Sequence, residues 1–200
     1  MKTVIKAVMI ICMSAVFVFG GEWEDRVMAG DDLYKDLRDR TADDGLGDGE
    51  YAMGYFNRAN AYHNLEKYEK AIEGYNETIK LDPNFADAYN NRAAVYSELG
   101  EHKKALEDLG KAIGAAPDSP YYYVHRCRFY DSLKEYKKAL KDCSHAVKLS
   151  PHYESAYFHR GIVYFNLKNL KSATKDAVKA KELGDSSLFD YLEENKLLRY

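Results

Sequence analysis

Apolar and small residues recur at helical spacing through residues 52–187, and the pattern returns every 34 positions. In the first such stretch Tyr55, Ala59 and Tyr62 share one face of a helix, and a second amphipathic run begins near Tyr68. A short polar break separates the two runs. The pattern therefore predicts antiparallel helix pairs, one pair for each period, in an all-α fold.

Columns of identical or similar residues appear when the chain is aligned on this period. Pro83, Pro117 and Pro151 are 34 residues apart and end the second helix of successive pairs, because proline cannot continue the hydrogen-bond ladder. The tyrosine columns are Tyr55, Tyr89, Tyr123 and Tyr157, and Tyr62, Tyr96, Tyr130 and Tyr164. The small-residue columns are Ala59, Ala93, Cys127 and Gly161, and Ala71, Ala105, Ala139 and Ala173. Small residues allow close approach of the helices, and one pair alone cannot bury its apolar face, so the pairs must stack.

The segment "AYNNRAAVYSELGEHKKALEDLGKAIGAAP", with its aromatic, small, Tyr, Ala, Ala and Pro positions, resembles the tetratricopeptide repeat. The resemblance covers four repeats, at 52–85, 86–119, 120–153 and 154–187. It implies a right-handed helical-repeat solenoid of antiparallel helix pairs.

The fourth repeat departs from the pattern, since Ala177 stands where the first repeat has Tyr75, and Asp185 replaces the proline. Terminal repeats are often atypical. Ser187 and Asp190 form a pair typical of a helix start. Residues 188–200 are therefore predicted to form a C-terminal capping helix over the last repeat.

The resemblance also implies a concave groove, lined by the first helix of each repeat, that binds a peptide or a partner protein. Asparagine suits such a surface because its amide both donates and accepts hydrogen bonds, and aromatic residues supply apolar anchors. The candidate partner-binding residues are Phe56, Asn57, Asn60, Asn90, Asn91, Tyr121, Val124, His125, Arg128, Phe158, His159 and Phe165.

Some members of the family hold a terminal carboxylate with a clamp of Lys, Asn, Asn, Lys and Arg. These positions fall here on Phe56, Asn60, Asn91, Tyr121 and His125, so only the two asparagines match. Without the three cations, the attraction for a carboxylate is mostly lost. The sequence therefore argues against that activity.

The function predicted is a protein–protein interaction module, and the alternative is a structural or assembly component of the cell envelope that self-associates. No nucleophile and base are linked by a motif and no phosphate loop occurs, so we expect no enzymatic activity and no cofactor. His125 and His159 lack a local partner at i, i+4 spacing, so no metal site is predicted.

Charge is distributed unevenly along the chain. Residues 21–50 hold eleven acidic and four basic residues, a net charge of −7, whereas residues 51–200 carry +2. Residues 21–51 are therefore expected to be an acidic, partly disordered lead-in with a short helix around residues 31–40. A nearly neutral repeat region also argues against nucleic acid as a partner.

The first twenty residues have a basic start, an apolar middle and small residues at the exit, which is typical of a secretory signal peptide. Cleavage after Gly20 predicts an exported protein, periplasmic or secreted. The alternatives are a membrane anchor formed by residues 4–20, the one case in which membrane contact is expected, and acylation at Cys12.

Two further columns predict contacts inside the repeats. Arginine recurs on the first helix and aspartate on the second helix of the later repeats, so an Arg–Asp bridge is expected, within a repeat or to the next. The columns are Arg58, Arg92, Arg126 and Arg160, and Gly74, Asp108, Asp142 and Asp176. Cys127 and Cys143 of the third repeat are a possible disulfide, and two buried free thiols are the alternative.

Overall fold

The computed structural model of the chain describes residues 48–199, and every regular element in that range is a helix. The helices are α1 (Asp48–Asn64), α2 (Tyr68–Leu81), α3 (Ala86–Glu98), α4 (His102–Ala115), α5 (Pro120–Ser132), α6 (Tyr136–Leu149), α7 (Glu154–Asn166), α8 (Leu170–Glu182) and α9 (Ser187–Glu194). Each predicted repeat supplies two consecutive helices, which confirms the all-α class of helix pairs. Helix α1 begins at Asp48, before the predicted repeat boundary at residue 52.

The turn between the two helices of each repeat contains one residue with left-handed backbone. Glu66, Gly100, Lys134 and Lys168 have φ values of 58°, 74°, 60° and 61°, and they are spaced by the repeat period. Only the second repeat uses glycine, for which this conformation has no steric cost. The turn geometry is thus fixed by the repeat rather than by the residue type.

The chain divides into two compact units, the first ending at Glu101 and the second beginning at His102. In the first unit α2 packs against both α1 and α3. Its core joins residues from all three helices: Ala59, Tyr62, Ala71, Tyr75, Ala88 and Val95. Gly74 allows close contact, because a Cβ at that position would lie 2.8 Å from the Cβ of Ala59.

In the second unit α5 packs on α6, α6 on α7 and α7 on α8, while α4 packs on α5. Cys127 of α5 and Cys143 of α6 are fully buried and are joined by a disulfide, with their Cα atoms 5.5 Å apart. The same cluster contains Ala139 and Val163, so α7 continues the core begun by the disulfide-linked pair.

Two Arg–Asp bridges confirm the expected pairing and show that it forms within a repeat. Arg126 donates from Nε and Nη2 to the carboxylate of Asp142, at 2.7 and 2.9 Å. Arg160 makes the same two contacts with Asp176, at 2.7 and 2.8 Å. Both carboxylates are buried and both bridges are bidentate, so each ties the first helix of its repeat to the second.

Helix α9 covers the end of the fourth repeat. Leu188 and Leu192 are buried against Ala173 and Ala177 of α8. A Cβ on Gly161 would lie 2.6 Å from Cδ2 of Leu188, so glycine makes room for the cap.

The start of α9 differs from the predicted Ser187 and Asp190 pair. The N-cap residue is Ser186, whose hydroxyl pairs with Asp190, and Oδ1 of Asp185 accepts a hydrogen bond from the backbone N–H of Ser187. The prediction placed the cap one residue too late, because two serines stand side by side at the start of the helix and sequence spacing alone does not distinguish them.

The predicted signal peptide at residues 1–20, most of the acidic lead-in and the short helix around residues 31–40 lie outside the described residues. Among the helices between residues 48 and 199, none has the length and apolar character needed to span a bilayer.

Candidate functional site

The candidate residues lie on the first helix of each repeat: α1 and α3 in the first unit, and α5 and α7 in the second. Within each unit these two helices contact each other directly. Each unit therefore presents its own surface built from two first helices, and we call these the α1/α3 surface and the α5/α7 surface.

A chain of hydrogen bonds crosses the α1/α3 surface. The amide nitrogen of Asn90 donates to Oδ1 of Asn91 at 3.1 Å, and that of Asn91 donates to Oδ1 of Asn60 at 2.9 Å. The hydroxyl of Tyr75, from α2, donates to the same Asn60 oxygen at 2.6 Å. Oδ1 of Asn60 thus accepts two hydrogen bonds, so the amide of Asn60 has only N–H donors left for a ligand.

Burial keeps the hydroxyl of Tyr75 protonated, so that it can donate a hydrogen bond. Its side chain is fully buried beneath the asparagines, and this burial raises the pKa of the phenol well above its ordinary value. The hydroxyl therefore remains protonated at any physiological pH. Tyr75 fixes the orientation of Asn60 from below, and the surface offers hydrogen-bond donors to acceptor groups.

The other side chains of the α1/α3 surface are less accessible to a ligand than the asparagines. Phe56 is half-buried, with its ring centroid 4.9 Å from that of Phe85 and 6.0 Å from that of Tyr75. Asn57 is also half-buried. At the end of α1, Nε2 of His63 lies 3.1 Å from a carboxylate oxygen of Glu98 on α3. Phe56 therefore contributes to packing more than the sequence suggested.

The α5/α7 surface is aromatic and basic. Tyr121 is 40% exposed and its ring centroid lies 4.2 Å from that of His125, one helical turn along α5. Arg128 follows on the same face and is exposed. On α7, the rings of Phe158 and His159 meet edge to face with centroids 4.9 Å apart. The exposed tyrosine and arginine are the kinds of side chain that dominate binding energy at interfaces.

His159 is neutral on this surface. Burial lowers its pKa to about 4, the positive charge of Arg128 and the neighbouring His125 act in the same direction, and Asp185 opposes the shift. A neutral imidazole supplies one donor and one acceptor. The α5/α7 surface thus combines the permanent charge of Arg128 with a polar group that does not repel it.

At the far end of the surface, Nδ2 of Asn166 on α7 donates to both carboxylate oxygens of Asp131 on α5, at 2.9 and 3.1 Å. Phe165 is half-buried, and its ring centroid lies 5.7 Å from that of Tyr191 on α9. These contacts fix the relative position of α5 and α7. They also join the cap to the surface, since Tyr191 is 48% exposed.

Two candidate residues do not reach a surface. Asn90 is 3% exposed and Val124 is 1% exposed, so the prediction that they face a ligand is wrong. Val124 packs against Ala146 of α6 and Ala156 of α7. In the third repeat this position therefore points between α5, α6 and the first helix of the next repeat, α7. Phe56 and Phe158, at the equivalent positions, are half-buried for the same reason.

Tyr75 is a core residue that also orients Asn60 through its hydroxyl, a role that was not predicted. A signal was present: the equivalent positions in the other repeats hold Leu109, Cys143 and Ala177, none of which carries a hydroxyl. A tyrosine in a column that is otherwise apolar indicates that its hydroxyl has a buried partner. Within residues 48–199, no group of three or more possible ligands is placed to hold a metal ion.

Comparison with known proteins identifies the class. Models of the "TPR repeat" and the "Tetratricopeptide repeat" match residues 59–100, 86–119 and 121–153. The Arabidopsis OM64 TPR domain is 30% identical, with a TM-score of 0.54 over 60% of this chain and 99% of that one. The chain therefore belongs to the tetratricopeptide repeat family.

Two further solved structures are similar. The first TPR of Spaghetti (RPAP3), bound to the HSP90 peptide SRMEEVD, is 28% identical, with a TM-score of 0.51 over 56% of this chain and 90% of that one. MamA 41-end from Desulfovibrio magneticus RS-1 is 22% identical, with a TM-score of 0.66 over 91% of this chain and 96% of that one. The MamA likeness concerns the fold alone. No curated protein sequence matches the chain significantly.

Proposed function

We propose that this protein is an interaction module that binds a peptide segment of a partner protein on the first helices of its repeats, outside the cytoplasm. Membership of the tetratricopeptide repeat family supports a scaffold for protein interactions, and one similar structure has a peptide bound. The observation that carries the proposal is the α5/α7 surface, where exposed Tyr121 and Arg128 lie beside neutral His159.

The α1/α3 surface favours a ligand with hydrogen-bond acceptors, and the α5/α7 surface favours a ligand with an apolar side chain. Asn60 and Asn91 present amide donors that suit backbone carbonyl groups of an extended peptide. Tyr121 supplies an apolar anchor and Arg128 a charged one. A terminal carboxylate clamp is not part of the proposal, because Phe56, Tyr121 and His125 replace the three cations that the clamp requires.

Selection from a peptide library, followed by calorimetry on the selected peptides, tests this function. Tyr121→Ala/Arg128→Ala is expected to weaken binding about tenfold or more, as loss of two interface anchors does. Leu99→Ala is a matched control, since Leu99 is a large hydrophobic residue with the same exposed fraction as Tyr121, 40%, and lies outside the α5/α7 surface. Peptides that bind the wild type and the double variant equally would refute the α5/α7 surface as the binding site.

Export is the second part of the proposal. The pattern of residues 1–20 supports it, and so does the buried disulfide between Cys127 and Cys143, because disulfides persist in oxidising compartments. Intact mass of the protein isolated from its native source is expected to correspond to a chain that begins at Gly21 with one disulfide. A mass that includes Met1, together with two alkylatable thiols at these positions, would contradict export.

A further inference from the structure

The outward faces of the second helices change sign along the chain. At one position of the repeat the residues are Glu69, Lys103, Lys137 and Lys171, and one turn later they are Glu73, Glu107, Lys141 and Lys175. The first repeat thus has two acids, the second has one of each sign, and the last two repeats have only lysine. The buried columns of the same helices keep their small residues, so the sign reversal concerns the surface alone.

The four lysines at these positions of the last two repeats are all exposed, and together we call them the lysine face: Lys137, Lys141, Lys171 and Lys175. They project from the sides of α6 and α8 that lie opposite the buried alanines, and both helices pack against α7. No ion pair joins any of the four to another of the described residues. Their positive charge is therefore available to a partner.

Glu69 and Glu73 are likewise exposed on α2, without an ion pair to the residues that the structure describes. They are one helical turn apart, as Lys137 and Lys141 are on α6, so side chains of opposite sign project at the same spacing. We call Glu69 and Glu73 the glutamate face.

We propose that the lysine face docks on the glutamate face of a second copy of this chain. The contact uses the second helices of the repeats, so it is separate from the peptide-binding surfaces proposed above. The same chain carries both complementary faces, and this makes a second copy the partner that the charges fit.

Net charge supports the pairing between copies. Residues 102–200 contain 18 lysine and arginine residues against 13 acidic ones, a net charge of +5. Residues 21–101, which remain after the proposed cleavage, contain 9 against 19, a net charge of −10. The acidic part of one molecule therefore attracts the basic part of another over distances up to the Debye length, and this attraction adds to the contacts of the two faces.

A lipid surface or a nucleic acid fits the lysine face less well. The large hydrophobic residues exposed in the described part of the chain are Met53, Leu99, Tyr121, Leu167 and Tyr191. None of them lies on α6 or α8, so the lysine face has no apolar side chain to insert into a bilayer. The exposed ring that follows Lys141 on α6, His145, already contacts the ring of Tyr123, with centroids 4.4 Å apart, so it is not free to stack on a base. A purely charged face suits a partner face that is also purely charged.

The contact is heterologous, because two different surfaces meet. Such contacts build chains of molecules, or rings where the rotation between copies closes. The expected association is weak at physiological salt and stronger at low salt, since exposed ion pairs contribute little individually and are screened.

Sedimentation of the purified protein at low and high salt tests the proposal. The wild type is expected to self-associate at low salt. Either Lys141→Glu/Lys175→Glu or Glu69→Lys/Glu73→Lys is expected to raise the dissociation constant about tenfold or more, because each turns attraction into like-charge repulsion. An equimolar mixture of the two double variants is expected to recover association, since each then presents its one unaltered face to a partner: the acidic face of the first meets the lysine face of the second.

Lys134→Glu/Lys196→Glu is the matched control, since it makes the same change in net charge at two exposed lysines outside the lysine face. Glutamate and lysine have similar helix propensity at the helical positions, and Glu66 shows that glutamate adopts the left-handed backbone found at Lys134 and Lys196. The helical circular dichroism spectrum should therefore not change in any variant. A wild type that remains monomeric at low salt would overturn the proposal, and so would equal effects of the control and the lysine-face variant. A monomer that instead binds phosphatidylglycerol vesicles through the same lysines would also overturn it. Peptide binding at the α5/α7 surface should be unchanged by all these substitutions.

Discussion

The two units of this protein stabilise equivalent helix pairs in different ways. In the first unit, Gly74 lets α2 contact α1 closely, and the arginine of that repeat, Arg58, lies over the ring of Tyr55 at 4.7 Å. In the second unit, aspartate stands at the position of Gly74, and each of the last two repeats has a bidentate Arg–Asp bridge. The third repeat adds a disulfide.

The comparison shows that the repeat fixes where two helices meet but leaves open which interaction holds them. Close packing of small residues is nondirectional and tolerates no added volume. A buried ion pair is directional and makes each partner depend on the other. The two units should therefore respond oppositely to added volume and to removal of charge, and four predictions test that difference.

The largest effect is expected for Arg160→Leu in the second unit. It leaves the carboxylate of Asp176 buried without its arginine, and breaking a buried pair in this way costs about 3 to 5 kcal/mol of unfolding free energy. Arg58→Leu in the first unit should cost less, because Gly74 stands at the position of Asp176 and no aspartate of α2 is left buried there. Urea unfolding of both variants measures the difference. Equal losses would remove the distinction between the two units.

Reduction of the disulfide should come next, at about 2 to 4 kcal/mol for a loop of this size. The bridge spans 16 residues within the third repeat, so faster hydrogen exchange is expected in α5 and α6. Exchange in α1 and α2 serves as the internal control and should change little. If reduction accelerated exchange equally in all helices, the bridge would not be a local constraint of the second unit.

Acidification should also act on the second unit, through His159. Its folded pKa of about 4 lies below the ordinary value of 6.5, so the unfolded chain binds the proton more readily as the pH falls through that window. Unfolding free energy should therefore decrease from pH 7 to pH 5, by about 2 kcal/mol from this group. His159→Gln should lessen that decrease, and an unchanged pH dependence would exclude His159 as its source.

The smallest effects are expected for the two glycines. Gly74→Ala introduces a Cβ against Ala59 and the backbone oxygen of Tyr55, which cannot move easily, and a net loss of about 1 to 2 kcal/mol is expected. Gly161→Ala meets the end of the Leu188 side chain at 2.6 Å and Cβ of Asp176 at 3.3 Å, and its cost should be smaller because the end of the leucine can move. The gain of about 1 kcal/mol in helix propensity applies to both sites, since both glycines are helical. Thermal unfolding should rank Gly74→Ala as the more damaging change, and the reverse order would contradict the rigid contact in the first unit.

Much of the fold could be predicted from the sequence, because the repeat supplies four copies of the same information. The helix pairs and the cap follow from columns such as that of Tyr62, and the Arg126–Asp142 bridge follows from two charged columns read together. The candidate site was less predictable. Tyr121 and Arg128 are exposed as expected. Asn90 and Val124, which occupy one position of the repeat in successive repeats, are buried instead.

What the sequence determined by itself is the period, and with it the helices, the turns between them and the family. Periodicity is a local property: residues three or four apart share a helix face whatever surrounds them. Tertiary structure decided which side chains remain available, since that depends on neighbouring helices far along the chain. Thus Asn60 is oriented by Tyr75 and Asn91, His159 is kept neutral by its burial beside Arg128, and Gly161 receives Leu188 of the cap. Such contacts join residues that no periodic pattern relates, so they appear only once the helices are packed.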